Sequence, residues 1–141
     1  MANFDIAIKE VLSHEGVNDN KFGYVNDKTD HGGETIAGIS RKFHSNDGIW
    51  IFVDTAKKQP NFPYNLKTVS GILDKIEEFY RNNFWNKIKG DNIKSQNVAN
   101  LLMDKAVLEG ITSSIKRAQG IVGSPANGVI DNNLLTKLNS L

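Results

Sequence analysis

Residues 15–34 read EGVNDNKFGYVNDKTDHGGE, a polar stretch with four glycines. It follows residues 3–14, in which apolar side chains recur at spacings of three and four. That spacing predicts an amphipathic helix capped by Asn3. The polar, glycine-rich stretch after it predicts a long loop or a short β-hairpin, with strand structure around Phe22 to Val25. A long irregular segment in a compact domain is usually either functional or mobile.

Outward from this stretch the pattern is helical. We predict helices over residues 36–43, 69–83, 95–110 and 112–122, and a last helix that holds Leu134, Leu135 and Leu138. Four of these helices are predicted to open with a capping residue, namely Thr35, Thr68, Ser95 and Asp131, and Thr112 is the predicted first residue of the fifth helix. Residues 49–65 contain two prolines and are predicted to be mostly loop with an optional short helix. Because strand-like alternation is scarce, the predicted fold class is mainly α, with a small loop or β-hairpin region near residues 16–34.

Length and composition exclude several classes of protein. A chain of 141 residues with 39% hydrophobic and 23% charged residues is expected to form one soluble domain. The absence of cysteine excludes a disulfide framework, a thiolate nucleophile and a cysteine zinc site. A net charge of +1 without a basic run argues against nucleic-acid binding. The longest apolar run, Ile49 to Val53, is too short for membrane insertion, and the N-terminus lacks the pattern of a signal peptide.

Metal binding is not predicted either. The spacing of the three histidines matches no zinc pattern. The run from Asn18 to Asn20 suggests calcium, but Phe22 stands where a calcium loop needs an oxygen ligand. We therefore predict no metal and no cofactor.

Glu15, Asp30 and Thr35 could supply the chemistry of a glycosidase. Cleavage of a glycosidic bond needs a proton donor, and a second group that stabilises the positive sugar centre or activates water. Each residue also has a simpler interpretation: Glu15 as a solvated helix end, Asp30 as the former of a glycine turn, and Thr35 as a helix cap. A helix C-terminus disfavours the negative charge of Glu15, which argues against the first of these.

The segment YVNDKTDHGGETIAGIS, residues 24–40, preceded by His14-Glu15-Gly16, resembles the signature of glycoside hydrolase family 108, bacterial and phage N-acetylmuramidases. The resemblance implies a lysozyme-like helical fold with Glu15 as the catalytic acid. By similarity to phage lysozymes, Asp30 would be the second acid and Thr35 the hydroxyl that orients water. We also expect substrate contacts from three residues, namely Tyr24 through ring stacking, Glu34 and Asp104.

The resemblance continues more loosely to the end of the chain, so we expect one muramidase domain over residues 1–141. Residues 1–90 would be its catalytic part and residues 91–141 a helical part similar to the family's peptidoglycan-binding region. Two departures stand out. Residues 17–23 replace a single glycine of the family pattern and could form a flap, and Leu108 replaces an asparagine.

The resemblance implies a monomeric lysozyme that cleaves the bond between N-acetylmuramic acid and N-acetylglucosamine in peptidoglycan glycan strands, without a cofactor. Such a protein would be made in the bacterial cytoplasm and act in the periplasm or cell wall after export by a holin or a dedicated secretion system. Two alternatives stay open: a non-hydrolytic wall-binding or secretion-accessory module, and a lytic transglycosylase.

Overall fold

The computed structural model describes residues 1–29 and 33–141. Asp30, the predicted second acid, therefore lies outside the described residues. Helices and strands within the described ranges follow one another as α1 (Phe4–His14), β1 (Tyr24–Asn26), β2 (Glu34–Ile36), β3 (Ile39–Ser40), α2 (Ile49–Lys57), α3 (Ile72–Tyr80), α4 (Gln96–Glu109), α5 (Ile111–Val122) and α6 (Asn132–Leu138). The mainly helical class with a small β region is confirmed.

Helix α1 begins as its sequence predicts. The backbone N–H of Asp5 donates a 2.7 Å hydrogen bond to the side-chain oxygen of Asn3, which satisfies an otherwise unpaired amide of the first turn. The apolar stripe of this helix is buried: Phe4, Ala7, Ile8, Val11 and Leu12.

The three strands form an antiparallel sheet in the order β1, β2, β3. Ala37 and Gly38, with φ of 47° and 79°, form the two-residue turn between β2 and β3. Positive φ at both turn residues is the geometry that suits a two-residue hairpin. The predicted helix over residues 36–43, with Thr35 as its cap, was therefore wrong. Ile36 and Ile39 pair across the turn in the core, and their spacing of three imitated a helix.

Helix α2 corrects a second prediction. Residues 49–65 were predicted to be mostly loop, but Ile49–Lys57 is a helix that ends before Pro60. Its buried residues, Ile49, Trp50, Val53 and Ala56, have helical spacing.

Helix α3 is shorter than predicted. Thr68 does not cap it but ends a short 3-10 helix, Tyr64–Thr68, and its hydroxyl donates to the carbonyl of Asn65. Gly71, with φ of 83°, separates that turn from α3. After Tyr80 the chain continues as a wider π-helical turn, Arg81–Trp85.

The helices of the C-terminal half have the predicted order. The backbone N–H of Val98 donates to the hydroxyl of Ser95, and that of Leu134 donates to the carboxylate of Asp131, so both predicted caps are confirmed. The fifth helix begins at Ile111, one residue before its predicted start at Thr112, and ends at Val122 as predicted.

The chain folds as two compact units. One comprises Met1–Val11 with Tyr80–Leu141, and the other comprises Leu12–Phe79. In the first, the fully buried Trp85 meets the ring of Phe4 edge-on at 5.7 Å. In the second, Ile36, Ile39, Ile49, Val53, Leu66 and Ile76 are all fully buried. In the described ranges no helix is both long enough and apolar enough to cross a membrane.

Candidate active site

Glu15 is the first residue beyond α1, at the start of the turn that leads to β1. The N–H of Gly16 donates to the carbonyl of Ser13, and the N–H of Val17 donates to that of Leu12. These bonds fix the backbone on both sides of Glu15. The position of its carboxyl group therefore follows from the end of the helix.

Gly23, just before β1, lies directly against this backbone. A Cβ atom at Gly23 would lie 2.5 Å from the carbonyl oxygen of Glu15 and 3.0 Å from the backbone nitrogen of Ala37. Both are main-chain atoms that cannot move aside. Because φ of Gly23 is also positive, at 71°, only glycine suits this position. Glycine thus allows the Glu15 backbone to lie directly against the edge of the sheet.

The insertion, residues 17–23, is a compact turn organised by Asp19. One carboxylate oxygen of Asp19 accepts from the N–H of Lys21 at 2.8 Å and from that of Gly23 at 3.0 Å. Phe22 is buried. The Asp19 bonds support Gly23, the glycine that lies against the Glu15 backbone. A flap formed by this insertion stays a prediction.

The electrostatic environment of Glu15 suits a proton donor. The side chain is half-buried, and burial raises its pKa above the ordinary value of 4.5, while the positive charge of His14 partly opposes this rise. The carbonyls of the last helical turn also disfavour an anion there. A carboxyl group that retains its proton can act as a general acid.

Thr35 lies on the more open face of the sheet. It pairs with Val25 of β1 and Ser40 of β3, and Val25 is 52% exposed. Side chains alternate along a strand, so Glu34 and Ile36 lie on the opposite face from Thr35. The Thr35 hydroxyl is therefore in a place where it could meet a ligand, although its role stays a prediction.

Glu34 is a largely buried member of a group of polar and charged side chains whose other charged members are partly exposed. We call this group the Glu34 cluster: Tyr24, Glu34, Arg41, Asp54 and Lys57. The hydroxyl of Tyr24 donates to Glu34 at 2.6 Å, Arg41 donates at 3.1 Å, and the Lys57 ammonium lies at 2.5 Å. Arg41 also makes two 2.7 Å bonds to Asp54. Burial alone would raise the pKa of Glu34, but the bonds from Lys57, Tyr24 and Arg41 lower it further than burial raises it.

This cluster corrects two expectations about substrate contacts. The Glu34 side chain is only 12% exposed, and its oxygens are bound by protein groups. The Tyr24 ring is buried and meets the ring of Phe62 edge-on at 4.8 Å. Stacking of Tyr24 on a sugar and direct binding of substrate by Glu34 do not fit these positions.

Asp104 lies on α4 in the other compact unit. It is partly buried and lines a shallow pocket of about 230 Å³ with Glu10, Asn97, Asn100 and Leu101. Carboxylate and carboxamide groups can bind sugar hydroxyls, so a substrate contact stays a prediction. Leu108, the departure from the family pattern, is 63% exposed.

Sequence reasoning missed Arg41, Asp54 and Lys57. The signal for two of them was present, because Asp54 and Lys57 are three residues apart, a spacing at which opposite charges meet on a helix. It was overlooked because this segment was predicted to be mostly loop. Arg41 was missed because residues 36–43 were predicted to be a helix.

Fold and site together define a lysozyme-like domain, mainly helical with a small antiparallel sheet and a half-buried glutamate at a helix end. Residues 8–110 match the sequence model of the family Glycosyl hydrolase 108. The chain belongs to that family.

One solved structure, "Structure of Brucella abortus SagA", is similar to this chain with a TM-score of 0.63 and 27% sequence identity. The similarity covers 98% of this chain and 69% of that one. No curated protein matches the sequence. The protein is therefore a glycoside hydrolase, and its family supports peptidoglycan as the polymer on which it acts.

Proposed function

We propose that this protein is an N-acetylmuramidase that hydrolyses the β-1,4 bond between N-acetylmuramic acid and N-acetylglucosamine, with Glu15 as the general acid. The observation that carries the proposal is the half-buried position of Glu15 directly after α1, where burial raises the pKa of its carboxyl group. Glu15 also lies within the residues that match the family. The sequence His14-Glu15-Gly16 resembles the surroundings of the family's catalytic glutamate.

In the proposed reaction Glu15 donates its proton to the glycosidic oxygen as the bond breaks. Glu34 is unsuited to this step, because the cations around it keep it ionised. Thr35, on the more open sheet face, would orient the attacking water. Asp30 would stay ionised to activate that water or to stabilise the positive charge at the anomeric carbon.

The proposed setting is the bacterial cell wall, with the protein acting as a monomer on glycan strands. Export through a holin or a dedicated secretion system is part of the proposal. The proposed reaction uses no metal and no cofactor.

The test is clearing of purified peptidoglycan by the wild-type protein, Glu15→Gln and a control, Glu78→Gln. Glu78 is a suitable control because its side chain is 58% exposed and its Lys75 partner is 3.5 Å away. We expect the wild type and Glu78→Gln to clear the wall and Glu15→Gln to lose at least about 100-fold in rate. Clearing by Glu15→Gln at the wild-type rate would refute the role of Glu15.

Thr35→Val tests the supporting role of the hydroxyl. Valine has nearly the same shape and suits a strand, so stability should change little. We expect the rate of wall cleavage to fall by about tenfold or more if the hydroxyl orients water. An unchanged rate would remove Thr35 from the mechanism.

A further inference from the structure

Four charges meet on the packed side of the sheet in the Glu34 cluster. Glu34 and Asp54 are balanced by Arg41 and Lys57, so the four side chains sum to zero charge. Replacing Glu34 by a neutral residue would leave the cluster with one excess positive charge. A glutamine at this position would keep an acceptor for the Tyr24 hydroxyl but would replace one carboxylate oxygen by an NH2 donor that faces the cations.

Arg41 binds Glu34 twice. Its backbone N–H donates to the carbonyl of Glu34 at 2.9 Å, and its guanidinium donates to the Glu34 carboxylate at 3.1 Å. The guanidinium is itself oriented by its two bonds to Asp54 on α2. The first residue of β2 is thereby tied to β1 through Tyr24, to the segment after β3 through Arg41, and to α2 through Lys57.

The side-chain bonds of the Glu34 cluster are not needed to set the register of β2. The register of β2 is set by its pairing with both neighbours and by Ile36 and Ile39, which are fully buried. The side chains of Arg41, Asp54 and Lys57 are 34%, 43% and 36% exposed, and ion pairs that exposed contribute little to stability. An ion-pair cluster does, however, hold its members in one geometry through directional bonds.

The geometry held here includes two candidate catalytic groups. Thr35 directly follows Glu34 and pairs with Val25 of β1. The glycine just before β1 contacts the carbonyl oxygen of Glu15. A continuous path of backbone contacts therefore runs from Glu15 through β1 to Glu34 and Thr35.

We infer that Glu34 is a positioning residue for the reaction: its ion pairs hold β2 so that the Thr35 hydroxyl keeps a fixed place relative to Glu15. This inference rests on the proposed function. Glu34 touches neither substrate nor reacting atoms in this account. Small displacements of catalytic groups reduce the rate of the chemical step more than they reduce binding.

A double-mutant cycle tests the inference with Glu34→Gln, Lys57→Gln and the combined variant. Steady-state release of wall fragments gives kcat and KM, urea unfolding gives stability, and hydrogen exchange reports on the backbone amides of β2. The matched control is a cycle on the exposed pair of Glu109 and Arg117, whose atoms lie 2.7 Å apart in the other unit.

We expect Glu34→Gln to lower kcat by about 10- to 100-fold while KM stays within about twofold of the wild type. The double variant should be no slower than Glu34→Gln, since both changes break the same contact. Exchange of the β2 amides should rise by about tenfold or more in Glu34→Gln. The control cycle should leave kcat unchanged.

The inference is overturned if kcat of Glu34→Gln stays within about twofold of the wild type, or if its loss merely follows the unfolded fraction with β2 exchange unchanged. Failure of the proposed function looks different, because the wild type itself would then release no fragments. In that case the role of Glu34 in the reaction would fall with the proposed function, and exchange of the β2 amides in Glu34→Gln would report only whether the ion pairs hold the strand.

Discussion

Gly23→Ala is expected to be the most informative single change near the active site. The new Cβ atom would lie 2.5 Å from the carbonyl oxygen of Glu15, and 3.0 and 3.1 Å from the backbone nitrogen and Cα of Ala37. All three atoms belong to the main chain, so relief requires movement of the strand or of the helix end. Movement of either would displace Glu15.

Two effects lower the free energy of unfolding of Gly23→Ala. A left-handed backbone conformation costs an alanine roughly 1–2 kcal/mol. Overlap with atoms that cannot move aside adds about 1–3 kcal/mol. We therefore expect Gly23→Ala to lower the free energy of unfolding by about 2–5 kcal/mol, and to reduce wall cleavage further than the loss of folded protein explains.

Gly123→Ala is the matched control. Its φ of 73° is almost that of Gly23, but a Cβ atom there would have no neighbour within 4 Å. Urea unfolding of both variants separates the cost of the left-handed backbone conformation from the cost of the overlap, because both variants have the first and only Gly23→Ala has the second. Equal destabilisation by the two substitutions would refute the argument that Gly23 is required by close packing against Glu15.

Three further predictions concern other parts of the molecule. Burial raises the folded-state pKa of Glu15, so its ionised side chain destabilises the protein at neutral pH, and Glu15→Gln should be more stable than the wild type there. This gain should fall as the pH drops through the raised pKa and be absent below the ordinary value of 4.5, which urea unfolding at a series of pH values checks. A stability gain that persists below pH 4.5 would contradict this direction of the pKa shift. Asp131→Ala removes the cap of α6 and should cost about 1 kcal/mol in unfolding free energy, whereas an effect near zero would mean that the 2.8 Å bond to Leu134 contributes nothing. Gly90→Ala would place a Cβ atom 2.2 Å from the nearest ring atom of the buried Trp85 and should cost about 3 kcal/mol, with a shift in tryptophan fluorescence. A thermal melt like that of the wild type would exclude the predicted overlap.

The sequence was most informative where a helix is both amphipathic and capped. The stripe of α1 and the caps Asn3, Ser95 and Asp131 were predicted from residue type and spacing, and the structure confirms them. Such signals are local, since a cap and its amide are only two or three residues apart. They need no knowledge of the rest of the fold.

Prediction failed where tertiary contacts decide the conformation. Ile36 and Ile39 have a spacing that suits a helix, but both are buried across a tight hairpin turn at Ala37 and Gly38. The Glu34 cluster joins residues from β1, β2, the segment after β3, and α2, so no single window of sequence contains it. For the same reason the buried, ionised state of Glu34 could not be inferred beforehand.

Hydrolysis of the bond on the muramic acid side can be tested through the chemistry of the products. Purified peptidoglycan would be digested in water enriched in heavy oxygen, and the fragments analysed by mass spectrometry. We expect N-acetylmuramic acid reducing ends that carry one heavy oxygen with the wild type, and none with Glu15→Gln. Fragments that end in 1,6-anhydro-N-acetylmuramic acid without heavy oxygen would identify a lytic transglycosylase instead, and binding to the wall without any fragments would identify a non-hydrolytic module.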